Sequence, residues 1–313
     1  MSPQQPPEGR PETLGVVVCT YTEERLDQVV DAVASVRRQT RAPDRVLVVV
    51  DGDEELAGTV GAALPGEEIL CLGRNSGVSV ARNRGVAALD TDLVAFLDDD
   101  AVARPAWLAE LVGPLADPRV MGVSGSSEGI FGRRHPAWLP DEFLWTVGVS
   151  WRGMPTEPAR IRNFYGGCAV VRRSVFEAVD GFATDIGHRE GRVGGGEEAD
   201  FCLRASRAHP GDWFLFAPSA VVGHRVPPAR LTLRYFLRRC FDEGVMKRQV
   251  SARLKDGALG AERQFALRLP AAAGRYLRTP SRRPAAGGVL LGVLAVLAGL
   301  LRGSVDTWTG GRR

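Results

Sequence analysis

Two runs rich in β-branched residues, residues 14–19 (LGVVVC) and Arg45–Val50 (RVLVVV), flank a segment over 24–38 whose apolar residues recur at helical spacing. A strand, a crossover helix and a second strand follow from that pattern, and such a unit confines the chain to a sheet with parallel neighbours. The alternation continues. Residues 68–72 (EILCL) predict a short strand, 80–89 a helix, and 93–97 (LVAFL) a buried strand. Strands alternating with helices predict an α/β fold, a mainly parallel sheet covered by helices on both faces.

Further along, 105–114 predicts a short helix with Trp107 and Leu108 turned inward, and 120–124 a strand. Residues 126–161, rich in Gly, Pro and Trp, read as a long irregular insertion and a candidate acceptor surface. Regularity returns with a strand over 168–172, a helix over 173–179, an amphipathic helix over 197–209 opened by two acids, and two short strands over 213–216 and 220–222. No internal repeat is visible.

Open sheets of this kind bind ligands at the carboxyl ends of their strands. The first strand ends in Cys19-Thr20-Tyr21, the second in Asp51-Gly52-Asp53 and the fourth in Asp98-Asp99-Asp100. Three consecutive carboxylates at the ligand edge repel one another, and a cation or protonation must relieve them. Hard oxygen ligands select Mg2+ or Mn2+, which also bridge diphosphate oxygens. Asp51, followed by a glycine that permits close backbone approach, suits a base or ribose, although D-G-D is also an everyday turn. The segment 74–85 (RNSGVSVARNRG) joins a strand to a helix start, where backbone N–H groups and arginines suit anions and nucleotide edges.

The segments VVVCTYTEERL, VLVVVDGD, NSGVSVARNRG and VAFLDDD occur in one order, followed by GGCAVVRRSVFEAVDGF, GGGEEADFCLR and VVGHRV. Together, from about Leu14 to Met246, they resemble the family 2 glycosyltransferases of GT-A fold, which bind nucleotide-diphospho-sugars. The resemblance implies that Asp98 and Asp100 form the D-x-D motif for metal (Mn2+ or Mg2+) and diphosphate, with Asp99 between them. It places Thr20, Tyr21, Glu23, Asp51 and Arg82 at the nucleoside, with Asn75 in the same donor-binding loop, and makes His224 a further metal ligand. Gly166 and Gly167 fall beside the donor sugar, followed by Cys168 where Asn is common. Glu197-Glu198 matches an acidic pair, usually Glu-Asp, whose second member is the general base. That points to Glu198, with Glu197 and Asp200 as alternatives because Glu stands in place of Asp. Arg238, Arg239 and Gly244 loosely match a basic segment that meets the pyrophosphate.

The implied activity is an inverting transfer of a sugar from a nucleotide diphosphate donor to an acceptor hydroxyl, with a lipid-linked acceptor as one option, in glycan or glycolipid biosynthesis. A sugar-phosphate nucleotidyltransferase would need a Gly-rich phosphate loop after the first strand, where this chain has Thr20-Tyr21-Thr22-Glu23-Glu24. A catalytically silent nucleotide-sugar binder or membrane scaffold would have no need for the clustered charge of Asp98, Asp100 and Glu198.

Charge is unevenly placed. From Arg225 onward there are 18 Lys+Arg against 5 Asp+Glu, a net of +13, which leaves −10 for the rest of a chain whose total is +3. Residues 285–301 within that basic tail are uncharged, small and aliphatic, which favours anionic lipid over nucleic acid as the partner. As a helix this stretch would reach about 26 Å, near the lower limit for a span, and its four glycines favour an interfacial placement. Residues 1–13, with four prolines, read as a disordered leader without a secretory signal. Five scattered cysteines suggest neither a disulfide framework nor a zinc site and fit a reducing cytosol.

The expected organisation is therefore a leader, a GT-A catalytic domain over 14–228 (nucleotide-sugar half 14–124, acceptor half 125–228), a basic helical segment over 229–284 and an apolar membrane-contact helix over 285–302. Such a chain would work in the cytoplasm, at the inner face of the cell membrane.

Overall fold

The first strand, β1 (Leu14–Thr20), is apolar on both sides because both faces of its sheet are covered. Val16 and Val18 point into one core and Val17 into the other. The computed structural model describes residues 12–132, 135–185, 195–254 and 260–309, with backbone only at 249–250, 252–254, 260–263 and 304–309. Most of the expected leader lies outside the described residues; Thr13 is tied through its amide and hydroxyl to Asp92 at 2.8 and 2.7 Å.

Beside β1 run β2 (Arg45–Val50), β3 (Glu68–Cys71) and β4 (Leu93–Asp98), all parallel, in the order β3-β2-β1-β4. The sheet continues through β8 (Cys168–Arg172), β6 (Val120–Phe131) and β9 (Trp213–Val226) to β5 (Ala101–Ala103), with β7 (Ala159–Ile161) paired to β9. Here β8 is antiparallel to both β4 and β6, so the expected α/β fold is built on a mixed sheet with a parallel half.

One face carries α1 (Leu26–Arg37), α2 (Glu54–Ala63) and α4 (Trp107–Val112); the other carries α3 (Val78–Ala88), α5 (Arg173–Ala178) and α6 (Glu197–Ala208). In α1 the residues Val29, Ala32, Val33 and Val36 follow the helical repeat and are buried, each valine worth about 1.5–3 kcal/mol. Asp53, expected only as a strand end, caps α2 by accepting the Leu56 amide at 3.0 Å. The two strands expected over 213–222 are one continuous strand. Pro218 lacks a ladder donor, but the strand changes neighbours around it, pairing with β7 at Phe214–Phe216 and taking the Arg104 amide at Val221. The stretch expected to be irregular holds the end of β6, a 3₁₀ helix over Asp141–Val147 and β7.

The chain divides into two compact units. The first comprises Met1–Ser127, Pro155–Arg192 and Glu197–Gly223, and the second Glu128–Met154, Val193–Gly196 and His224–Arg313. In the second, α7 (Leu233–Leu254), α8 (Gly260–Arg278) and α9 (Arg283–Thr309) enclose a core that includes Phe143, Phe236, Cys240, Leu269 and Val289. Buried Glu142 anchors α8 there: it accepts the Tyr276 hydroxyl at 2.7 Å and pairs with Arg275. Burial, reinforced by that hydrogen bond to Glu142, pushes the Tyr276 phenol up to about 12.

Candidate active site

Parallel register brings the strand ends of the first unit to one edge. Cys19 lies opposite Asp98, and the Asp51 amide donates to the Thr20 carbonyl at 2.8 Å. Thr20 is buried at the end of β1, and its Oγ1, like Ser79 Oγ in the first turn of α3, has no hydrogen-bond partner among the described residues. Buried hydroxyls are rarely left so unless something outside the protein engages them. Asp51 is buried too, and its two oxygens accept the amides of Ser76 at 2.6 Å and Gly77 at 2.8 Å. Those bonds fix the loop that leads into α3, whose N-terminal flank is Gly77 in a positive-φ conformation (φ 94°).

At the acidic turn the three carboxylates have distinct surroundings. Asp98, the last residue of β4, is partly open, and Gly167 crowds it: a Cβ on Gly167 would stand 2.0 Å from Asp98 Oδ2. Asp99 and Asp100 are buried and face Arg25, whose Nη1 lies 2.6 Å from Asp99 Oδ1 and 3.3 Å from Asp100 Oδ2. Burial raises the Asp99 carboxyl to about 6, with Arg25 pulling the other way. Sequence reasoning missed Arg25. Its signal was present, an arginine entering the helix after the first strand, next to the strand that ends in three acids.

Arg82 links this turn to α6. Its guanidinium is buried beside the rings of Phe96 and Phe182, with one terminal nitrogen 3.1 Å from Asp98 Oδ1 and the other 3.2 Å from Glu198 Oε1. Burial opposes its charge, but Asp98, then Glu198 and Glu197, outweigh that and keep it firmly protonated. Gly166 makes the approach possible, because a Cβ there would lie 2.3 Å from Arg82 Nη1 and 2.6 Å from Glu198 Oε1. The acids that open α6 therefore differ in role. Glu198 faces Arg82, Glu197 is buried in the first turn, and Asp200 accepts from Arg204 Nε at 2.8 Å while Arg204 also holds the Val179 and Gly181 carbonyls. All three sit at a helix N-terminus, where the backbone dipole favours negative charge.

The other residues singled out in the sequence have surroundings of their own. Tyr21, Glu23 and Asn75 are exposed at the loop ends, Tyr21 with the Arg25 guanidinium 5.4 Å from its ring centre. Cys168 turns into the core: its sulfur takes the indole N–H of Trp107 at 3.2 Å, and burial pushes its thiol up to about 12. In the second unit, His224 is buried near the end of β9 and packs against Gly148, where φ is 83° and a Cβ would lie 2.9 Å from the imidazole. Arg238 and Arg239 pair along α7 with Asp242 at 3.8 Å and Glu243 at 3.0 Å, and Gly244 packs against α9.

Strand order, helix placement and the acidic turn after β4 define an α/β protein of the GT-A type. Over residues 15–180 the chain matches glycosyl transferase family 2. It is 32% identical over 239 residues to a glucosyl-dolichyl phosphate glucuronosyltransferase of Haloferax volcanii, covering 75% of this chain and 76% of that protein. The crystal structure of GalNAc-T7 with UDP, GalNAc and Mn2+ superposes with a TM-score of 0.53 at 17% identity over 82% of this chain, which spans about half (54%) of that one. The protein belongs to glycosyl transferase family 2.

Proposed function

We propose that this glycosyltransferase transfers a sugar from a nucleoside diphosphate donor to a hydroxyl of a lipid-linked acceptor, with inversion at the anomeric carbon. The observation that carries the reading is the single arginine, Arg82, that ties the acidic turn at Asp98 to Glu198. A diphosphate site and a base must lie within one sugar's reach of each other, and this link supplies that proximity. The acceptor class is suggested by the dolichyl phosphate in the name of the Haloferax volcanii relative.

Asp98 and Asp100 fit a hard divalent cation, Mn2+ or Mg2+. Both offer carboxylate oxygens, and the missing side chain of Gly167 leaves room at Asp98 Oδ2. His224 is the further ligand that the family resemblance suggests. When bound, the cation neutralises charge on the departing diphosphate, worth several kcal/mol.

The chain's own residues do the rest. Thr20 and Ser79 offer unengaged hydroxyls at the donor edge, Asp51 fixes the loop before α3 and keeps lone pairs for the nucleoside, and Tyr21, Glu23 and Asn75 flank it. Asp99, paired with Arg25, shapes the turn, and Gly166 and Gly167 keep space for the sugar. Glu198 accepts the proton of the acceptor hydroxyl as its oxygen bonds to the anomeric carbon and the bond to the diphosphate oxygen breaks. Base catalysis of this kind contributes about 10²–10⁴-fold. Glu198 is preferred to Asp200, whose carboxylate serves Arg204, and to Glu197, which is more deeply buried.

The catalytic region would be 14–228, followed by a basic helical segment over 229–284 and a membrane-contacting part over 285–302, with the enzyme on the cytoplasmic face of the cell membrane. Thermal unfolding against a panel of nucleotide sugars, with and without Mn2+, tests the donor. Protection by one donor that requires the metal is expected; no protection by any would remove the reading. Transfer to polyprenyl-phosphate-linked saccharides then tests the acceptor.

A further inference from the structure

The helical run that holds the apolar segment of the tail is longer than the segment itself. Pro280–Gly303, which enters α9 at Arg283, is 24 residues, roughly 36 Å as a helix, and long and apolar enough to cross a bilayer by length and composition, with its uncharged part between Arg283 and Arg302. Length therefore does not decide between crossing the membrane and lying on it. Packing does.

Along one side of α9, glycines allow backbone contact within the second unit. A Cβ on Gly299 would lie 2.0 Å from the Phe241 carbonyl oxygen, and one on Gly244 of α7 would lie 2.1 Å from that of Val296. Gly292 meets Phe143 and Phe236, and Gly288 meets the Trp138 carbonyl. Thus α9 is locked against α7. Over the shared stretch α7 carries Arg238, Arg239, Asp242, Glu243, Lys247 and Arg248. A spanning α9 would drag these charges into hydrocarbon or break the glycine contacts, and both are strongly unfavourable.

The opposite side of α9 is bare. Leu290, Leu294, Leu297 and Leu301 are 60, 53, 50 and 72% exposed, and their spacing of four, three and four residues sets them in a single stripe. Exposed apolar surface of this extent on a soluble face needs a partner. Charge identifies it: from Gln264 to Val305 there are six arginines and no acid. Arg275 and Arg282 pair with Glu142 and Asp141, and Arg278, Arg283 and Arg302 are exposed, the last two at either end of the apolar run.

We propose that α9 is a surface helix that seats its leucine stripe in one leaflet of an anionic membrane while its glycine side stays on α7, so that the chain docks on the bilayer without crossing it. This rests on the membrane-side reading above and is tested without donor or acceptor, so the two can fail separately. Full-length protein is sedimented with phosphatidylcholine vesicles, with and without phosphatidylglycerol. Preferential binding to the anionic vesicles is expected, reduced by salt, and lowered about tenfold or more by Leu294→Glu with Leu297→Glu. Both positions are exposed, and an unchanged circular-dichroism melt confirms that the variant folds.

Wild-type protein that stays in the supernatant, or a variant that binds as before, would overturn the proposal. So would a dimer on size exclusion that the double variant turns into a monomer, since a second copy would then cover the stripe. In sealed inside-out membrane vesicles from cells, a C-terminal epitope tag should be digested by added protease; protection of the tag, with the catalytic region digested, would mean a span and contradict the surface placement.

Discussion

Glu198 and Arg82 form an ion pair at 3.2 Å, and the arginine's other terminal nitrogen stays on Asp98 at 3.1 Å. Arg82→Met should leave two acids without their shared cation and destabilise the metal-free protein by about 2–3 kcal/mol. That is less than for a fully buried pair, because Asp98 is partly solvated. Urea denaturation in EDTA measures it. Mn2+ should restore more stability to the variant than to the parent, and a loss under about 0.5 kcal/mol, the scale of an ordinary surface substitution, would show that the pair does not hold the site together.

The space beside Asp98 should be indispensable. Gly167→Ala places a methyl against Asp98 Oδ2, 2.0 Å away in the unaltered backbone, so the carboxylate must move. A shift of that order is expected to lower turnover by about 10²-fold, with near-native circular dichroism. Asp98→Ala and Asp100→Ala should each abolish turnover and remove metal-dependent donor binding, read by isothermal titration.

Cys168 should matter to stability and not to donor choice. Its sulfur lies in the core between the Trp107 indole N–H and the Ser126 and Ala220 carbonyls, so Cys168→Asn forces a bulkier side chain into a closely packed place and should cost about 1–3 kcal/mol. The ranking of nucleotide sugars in a competition assay should be unchanged. With its thiol raised to about 12 by burial, Cys168 should also resist alkylation in the native protein at pH 8, as peptide mapping would show.

Alkaline stability should report on the anchor of α8. The Tyr276 phenol is raised from 10.0 to about 12 in the folded protein, so the folded state keeps its proton to higher pH than the unfolded chain does. Its contribution is fully present below pH 10 and is lost as pH rises through 12. Tyr276→Phe should flatten that decline. A variant whose midpoint falls as steeply as the parent's over this range would show that another group controls it.

The parallel half of the sheet was readable because β1, β2 and β4 are buried on both faces and so are nearly unbroken apolar runs, with only the edge strand β3 half-buried. The antiparallel half was harder. Pro218 split β9 into two apparent strands, and only the change of neighbours along the strand explains why the chain passes through it. The acidic turn could be located from sequence because a buried strand feeds directly into Asp98. The division of labour among Glu197, Glu198 and Asp200 could not. It depends on Arg82 and Arg204, which lie 116 residues before Glu198 and four after Asp200, and only the fold decides which carboxylate each reaches. Cys168 shows the same limit, since strand alternation alone does not say which face looks toward the ligand.

The most direct test of the account is Glu198→Gln, assayed for donor affinity and for single-turnover transfer in the presence of Mn2+. Donor affinity should stay within about twofold of the parent and the rate should fall by about 10²-fold or more, because the amide oxygen of Gln can still accept from Arg82, which keeps its ion pair with Asp98, while proton acceptance is lost. A fully active Glu198→Gln enzyme, with the loss appearing instead in Glu197→Gln or Asp200→Asn, would contradict it.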